Sequence, residues 1–130
     1  MNIKMKHPVV SMDFVDDGCF FVYGDFYGNV FLFDLESEEI SFLGSHNFGV
    51  THVHYYPRHS LALTLGDDSV MRLYDSRQDK PAFDFKLDCG IPISSDLKKD
   101  AFIFATNTNQ VVILDLDMLL KSGGKEYAAF

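Results

Sequence analysis

Two histidines two positions apart, His52 and His54, lie in a Thr-His-Val-His-Tyr-Tyr run that reads as a strand. Such a run turns both rings to one side, a spacing able to chelate a metal ion. No third ligand is indicated, so the plainer reading is two polar side chains beside the apolar Val53/Tyr55 face. The carboxylate pairs Asp16-Asp17 and Asp67-Asp68 suit acid–base chemistry by type, but each sits in a turn, where aspartate supports the backbone bend. Ser122-Gly123-Gly124-Lys125 resembles a phosphate loop in composition only, lacking the G-x-x-x-x-G-K-[ST] order and a strand-to-helix setting. Ser45-His46 has no nucleophile elbow around the serine. Arg72 alternates outward within its strand and reads as a solvated side chain. Three residues are candidates for contacting a partner: Arg77, in a loop at a rim, and Phe26 and Tyr27, aromatic where a turn tip is ordinarily polar. No catalytic, cofactor-binding or metal-binding set is expected, and the chain reads as a non-enzyme.

The elements that must position these residues are hairpins. Leu61 to Asp75 alternates apolar and polar side chains, breaks at Gly66-Asp67-Asp68-Ser69, alternates again and stops at an aspartate. That pattern predicts two strands joined by a tight turn, with one face buried. It recurs at Phe20 to Asp34 and at Ala101 to Asp115; Asp34 and Asp75 are 41 positions apart, Asp75 and Asp115 are 40. Each hairpin follows an apolar triad: Val9, Met12, Phe14; then Val50, Val53, Tyr55; and a degenerate Ile91, Ile93, Leu97. Each precedes a further short apolar strand, at Ile40 and Phe42, at Phe83 to Leu87, and at Tyr127 to Phe130. The reading is three units of four strands, about 9–44, 50–87 and 91–130, in one all-β domain.

A period near 40 with four strands per unit is the spacing of WD-type β-propeller blades, and the chain resembles that family in particular residues. Gly44-Ser45-His46 stands where the family has its Gly-His pair, and the terminal Trp-Asp appears as Phe33-Asp34, Tyr74-Asp75 and Leu114-Asp115. The resemblance implies a buried hydrogen-bonded set in the second unit made of His46, Thr64, Asp68 and Tyr74. A buried imidazole needs such partners. The first unit has Tyr27 at the turn-aspartate position and the third has Thr108 with no histidine upstream, so one unit is expected to carry the set.

Leu43-Gly44-Ser45-His46, Val50 to Pro57, Leu73-Tyr74-Asp75-Ser76-Arg77 and Val111 to Leu116 with Met118 are similar to the spindle-checkpoint (budding uninhibited by benzimidazole) and messenger-RNA export propellers. What that implies is a scaffold that grips short peptide motifs of partner proteins, in the nucleus or cytoplasm. Arg77 matches a family arginine; Asp117 stands where the family carries another, and with Asp115 it would repel an acidic peptide. The alternatives are a generic adaptor subunit, such as a ligase receptor or coat component, and a propeller enzyme.

Composition sets further bounds. The net charge of −8, with no Lys/Arg cluster, argues against nucleic acid and against anionic membrane as partners. The longest apolar run, Cys19 to Tyr23, is too short to span a bilayer, and a soluble chain is expected. Two cysteines 70 residues apart fit no disulfide framework and no zinc site. Propellers close with 4 to 8 blades, so three blades leave two apolar sides open. These are expected to meet the rest of a longer propeller, a partner that completes the ring, or further copies of the chain.

Overall fold

The computed structural model describes residues 2–15, 18–75 and 81–123. Among these residues, eleven strands form three antiparallel sheets in chain order. The first sheet is β1 (Val9–Val15), β2 (Phe20–Asp25), β3 (Asn29–Asp34) and β4 (Ile40–Ser45). The second is β5 (Val50–Tyr56), β6 (Leu61–Gly66), β7 (Val70–Asp75) and β8 (Pro81–Lys86), with a 3₁₀ turn at Pro57–His59 between its first two strands. The third is β9 (Pro92–Lys98), β10 (Ala101–Thr106) and β11 (Val111–Asp115), followed by α1 (Leu116–Lys121). A fourth strand for this sheet, expected at Tyr127 to Phe130, lies outside the described residues.

The second sheet has both faces covered, because its strands alternate between two apolar sets. Val53, Tyr55, Ala62 and Tyr74 pack on Val15, Val22, Val30 and Leu43 of the first sheet. Leu61, Leu63, Leu65, Met71 and Leu73 pack on Phe102, Phe104, Val112 and Leu114 of the third, with Leu116 and Leu119 of α1 closing the edge. Each large side chain so buried contributes about 1.5–3 kcal/mol. The innermost strands are also tied together: Val53 N–H donates to Ser11 Oγ at 2.9 Å, Tyr55 N–H to Asp13 Oδ2 at 2.8 Å, and His54 Nε2 meets Ser95 Oγ at 2.7 Å.

Among the described residues the outer sheets each have a face with no sheet upon it, and the three do not close into a ring. Across the first sheet the register lines up Phe14, Phe21, Phe33 and Ile40 in one row and Met12, Tyr23, Phe31 and Phe42 in the next. Met5 covers the Phe21–Tyr23–Phe33 centre of this face, while Phe14, Met12 and Phe42 are each more than half exposed. The same triad positions are buried in the second sheet and exposed in the first, since only the second has a neighbour there.

Candidate interaction site

The three hairpin turns share a left-handed residue near their close, Gly28 (φ 94°), Ser69 (φ 58°) and Asn109 (φ 63°), and differ in what caps them. In the first, Asp25 Oδ1 accepts the N–H groups of Tyr27 and Asn29, both at 2.9 Å. In the third, Thr106 Oγ1 accepts from Thr108 and Gln110 at 3.3 and 3.4 Å. The matching position in the second is Gly66, where a Cβ would lie 2.6 Å from His46 Nδ1. A side chain at this strand end caps its own turn; glycine there leaves room for a histidine. Asp25, 2% exposed, was not a candidate on sequence, although an aspartate three residues before a turn Gly-Asn pair is a recognisable Asx cap.

His46 fills the space above Gly66. Its Nδ1 lies 3.0 and 3.2 Å from the two Asp68 oxygens and its Nε2 2.7 Å from Thr64 Oγ1. Burial pushes the imidazole pKa below its usual 6.5, against the opposing pull of Asp68. The neutral ring therefore donates Nδ1–H to the carboxylate and accepts the Thr64 hydroxyl proton at Nε2. Asp68 also accepts the N–H groups of Asn47 at 3.0 Å and Val70 at 3.1 Å. One carboxylate thus pins the β4–β5 loop onto the β6–β7 turn.

Tyr74 departs from the expected set. Its hydroxyl is buried without a hydrogen bond of good geometry, and burial raises its pKa. The ring lies instead beneath Gly44 of the first sheet, where a Cβ would come within 2.6 Å of it. It packs between sheets. Tyr74→Phe therefore leaves stability unchanged or raises it by up to about 1 kcal/mol, read as the urea midpoint, because it deletes an unsatisfied polar atom. Arg72 also departs: it is half-buried, donates to the Ser45 carbonyl and lies 3.7 Å from Asp84 through Nε, so it braces β4 and β8 instead of facing water.

Above the pinned loops lies a groove of about 540 Å³ lined by Phe26, Tyr27, Asn47, Phe48, Gly49 and Asp67. Phe26, Tyr27 and Phe48 are 63%, 60% and 64% exposed. Phe26 meets Tyr27 edge-on with ring centroids 5.6 Å apart, and the His7 ring lies tilted against Tyr27 at 4.5 Å. The floor is held by backbone: His46 N–H donates to Gly28 O at 2.8 Å and Asp67 N–H to Gly49 O at 2.9 Å. An exposed aromatic cluster on a rigid floor, with one carboxylate beside it, suits a short segment that supplies apolar area and a cation. Phe48 escaped the sequence reading because the Asn-Phe-Gly run looks like ordinary loop.

The remaining candidates separate. His54 faces the third sheet through Ser95, and burial lowers the pKa of both His52 and His54. Both rings are half-buried at the seam between sheets, not solvated. Among the described residues no three His, Cys, Asp or Glu side chains come together as a metal site would need. Asp117 is already engaged by Arg58, His59 and Lys121 at 3.2, 2.9 and 2.8 Å, led by Lys121 in holding its carboxyl down to about 2. Asp115 caps α1 through Met118 N–H at 3.1 Å. Arg77, Asp16, Asp17, Gly124 and Lys125 lie outside the described residues.

No family model matches the chain, and no curated protein matches it by sequence. Among solved structures, the β-propeller domain of Myceliophteria thermophila Cps50 (Swd1) is similar over 88% of this chain and 38% of its own, with 18% identity and a TM-score of 0.76. The computationally designed protein Ika4 is similar over 87% of this chain and 69% of its own, with 10% identity and a TM-score of 0.75. The designed Ika8 matches over 83% and 33%, with 10% identity and a TM-score of 0.72. The chain thus spans little more than a third of the Swd1 propeller domain, and its three sheets have the arrangement of consecutive propeller blades.

Proposed function

We propose that this chain is a WD-type propeller segment that works as a protein-interaction scaffold without catalysis, taking short segments of partner proteins in the Phe26–Tyr27–Phe48 groove. The observation that carries this is the exposure of three aromatic rings on two loops, the Phe48 loop pinned by the Asp68 contacts and the Phe26–Tyr27 turn capped by Asp25 and joined to it through His46 N–H and Gly28 O. Holding a loop in its binding conformation beforehand lowers the entropy lost on association. Asp67 beside the rings favours a basic or neutral segment over an acidic one. The finer kinship to checkpoint and export adaptors rests on the motifs around Leu43 to His46 and Leu73 to Arg77 and implies acidic partner segments gripped by arginine, so partner charge separates the two readings.

Titration with short peptides that pair an arginine with apolar residues, and with glutamate-bearing counterparts, tests this through backbone amide shifts. Shifts from the arginine peptides should gather at residues 26–29, 46–49 and 67, and Phe26→Ala with Tyr27→Ala should weaken binding at least about tenfold. Preference for the acidic peptides, or binding indifferent to the double substitution, would replace this reading with the adaptor-type one or remove it.

A further inference from the structure

The first sheet clasps the second by two side chains of its inner strand. Ser11 Oγ and Asp13 Oδ2 take the N–H groups of Val53 and Tyr55, while Asp13 Oδ1 takes the N–H of Phe14 at 2.9 Å. The same residue types recur at the same register on the inner strand of the third sheet. Ser11 pairs with Gly24 and Asp13 with Val22; Ser94 pairs with Ala105 and Asp96 with Ile103. Val22 and Ile103 each stand 12 residues before the aspartate that closes the hairpin, Asp34 and Asp115. Asp96 Oδ1 likewise takes the N–H of the next residue, Leu97, at 2.9 Å.

What differs is the neighbour. Ser11 and Asp13 are half-covered by the second sheet, whereas Ser94 and Asp96 are exposed beside a groove of about 360 Å³ that Ser95, Ile103, Ala105 and Val111 complete. The second sheet, between them, has His52 and His54 at these positions and reaches the third through His54 and Ser95 instead. The third sheet therefore ends in the accepting half of a clasp of the first kind. The receiving half is on the same chain: Met12 and Phe14 of the first sheet occupy the register positions of Val53 and Tyr55.

We propose that a second copy of this chain docks head to tail, the open face of its first sheet seating on the open face of the third. Ser94 then receives the N–H of Met12, and Asp96 takes over or shares the N–H of Phe14 that Asp13 Oδ1 holds in the single chain. Size is complementary in part, because the two rows led by Phe14 and Met12 are large and mostly aromatic while Ser94, Ala101, Ala105 and Val111 opposite are small, with Ile103 the larger apolar side chain among them. Lys4 and Lys6 border the first face, and Asp96, with Lys98 two positions along the strand, stands on the other, so the carboxylate acts as a local acceptor and not as a charged patch. Met5 moves aside, one side chain giving way to a blade. Applied reciprocally, the contact joins three blades to three and closes six, inside the range that propellers use, and a head-to-tail contact that closes leaves no open face.

The test is the mass of the 130-residue chain by analytical ultracentrifugation across micromolar concentrations. The expected species is twice 14.8 kDa. Ser94→Ala with Asp96→Ala should raise the dissociation constant at least about tenfold. Phe14→Asp, on the opposite face, should do the same, and equimolar mixing of the two variants should restore one of the two junctions and give an open dimer. Retention of the His46 side-chain signals shows that the variants keep their fold. A monomer throughout, structured or not, or a dimer indifferent to both substitutions, overturns the proposal, as does ordering that requires blades from a different protein.

Discussion

Asp68→Ala lowers stability by about 3 kcal/mol, because it strands His46 in a buried site and removes the acceptor for two backbone N–H groups. Asp68→Asn, which keeps an acceptor oxygen, loses less. The effect grows in acid, with a sign fixed by the histidine. Burial depresses the His46 pKa in the fold, so the unfolded chain binds the proton more readily. Stability is complete above about pH 6.5, the unfolded value, and falls as pH drops from there through the folded pKa. Asp68 is the group that eases this depression, so its removal makes the acid loss steeper. Urea midpoints at pH 7.5 and 5.5 check both statements, and an alanine variant within about 0.5 kcal/mol of the parent would show the carboxylate to be dispensable. The same substitution frees the Asn47 N–H, so peptide affinity in the groove should fall with it.

Phe102→Ala should cost about 3–5 kcal/mol, a large share of the 5–15 kcal/mol that holds an ordinary domain. Phe102 is fully buried between the second and third sheets, with its ring 5.5 Å from Phe104 and 5.6 Å from His54. Propeller blades touch mainly their neighbours, so the loss falls on one junction. Hydrogen exchange should therefore quicken across β9 to β11 while β2 and β3 keep their protection. Uniform loss of protection over all three sheets would mean that the blades unfold as one unit.

The hairpins were readable because a half-buried strand must alternate and a turn must break the alternation. Leu61 to Gly66 and Val70 to Asp75 are the strands that pattern predicts. The short helix at Leu116–Lys121 follows the third hairpin directly, because Asp115, which closes the strand, also caps its first turn. His46, Thr64 and Asp68 could be placed together only through resemblance, since 22 positions separate the histidine from its carboxylate. Tyr74 could not be placed, because whether its hydroxyl finds a partner depends on how closely Gly44 lets the first sheet approach. Phe48 joins Phe26 and Tyr27 only when the loops stack.

The order of polar and apolar residues along the chain was sufficient to determine the three hairpins, their turns and the forty-residue repeat, because these depend on neighbours a few positions away. Contacts between units were decided by tertiary structure. Apolar triads at matching positions are buried in the second sheet and bare in the first, Arg72 turns inward to a carbonyl, and Ser94 and Asp96 repeat a clasp with no blade in it. Such outcomes depend on which sheet stands beside which, and a local pattern carries no information about that.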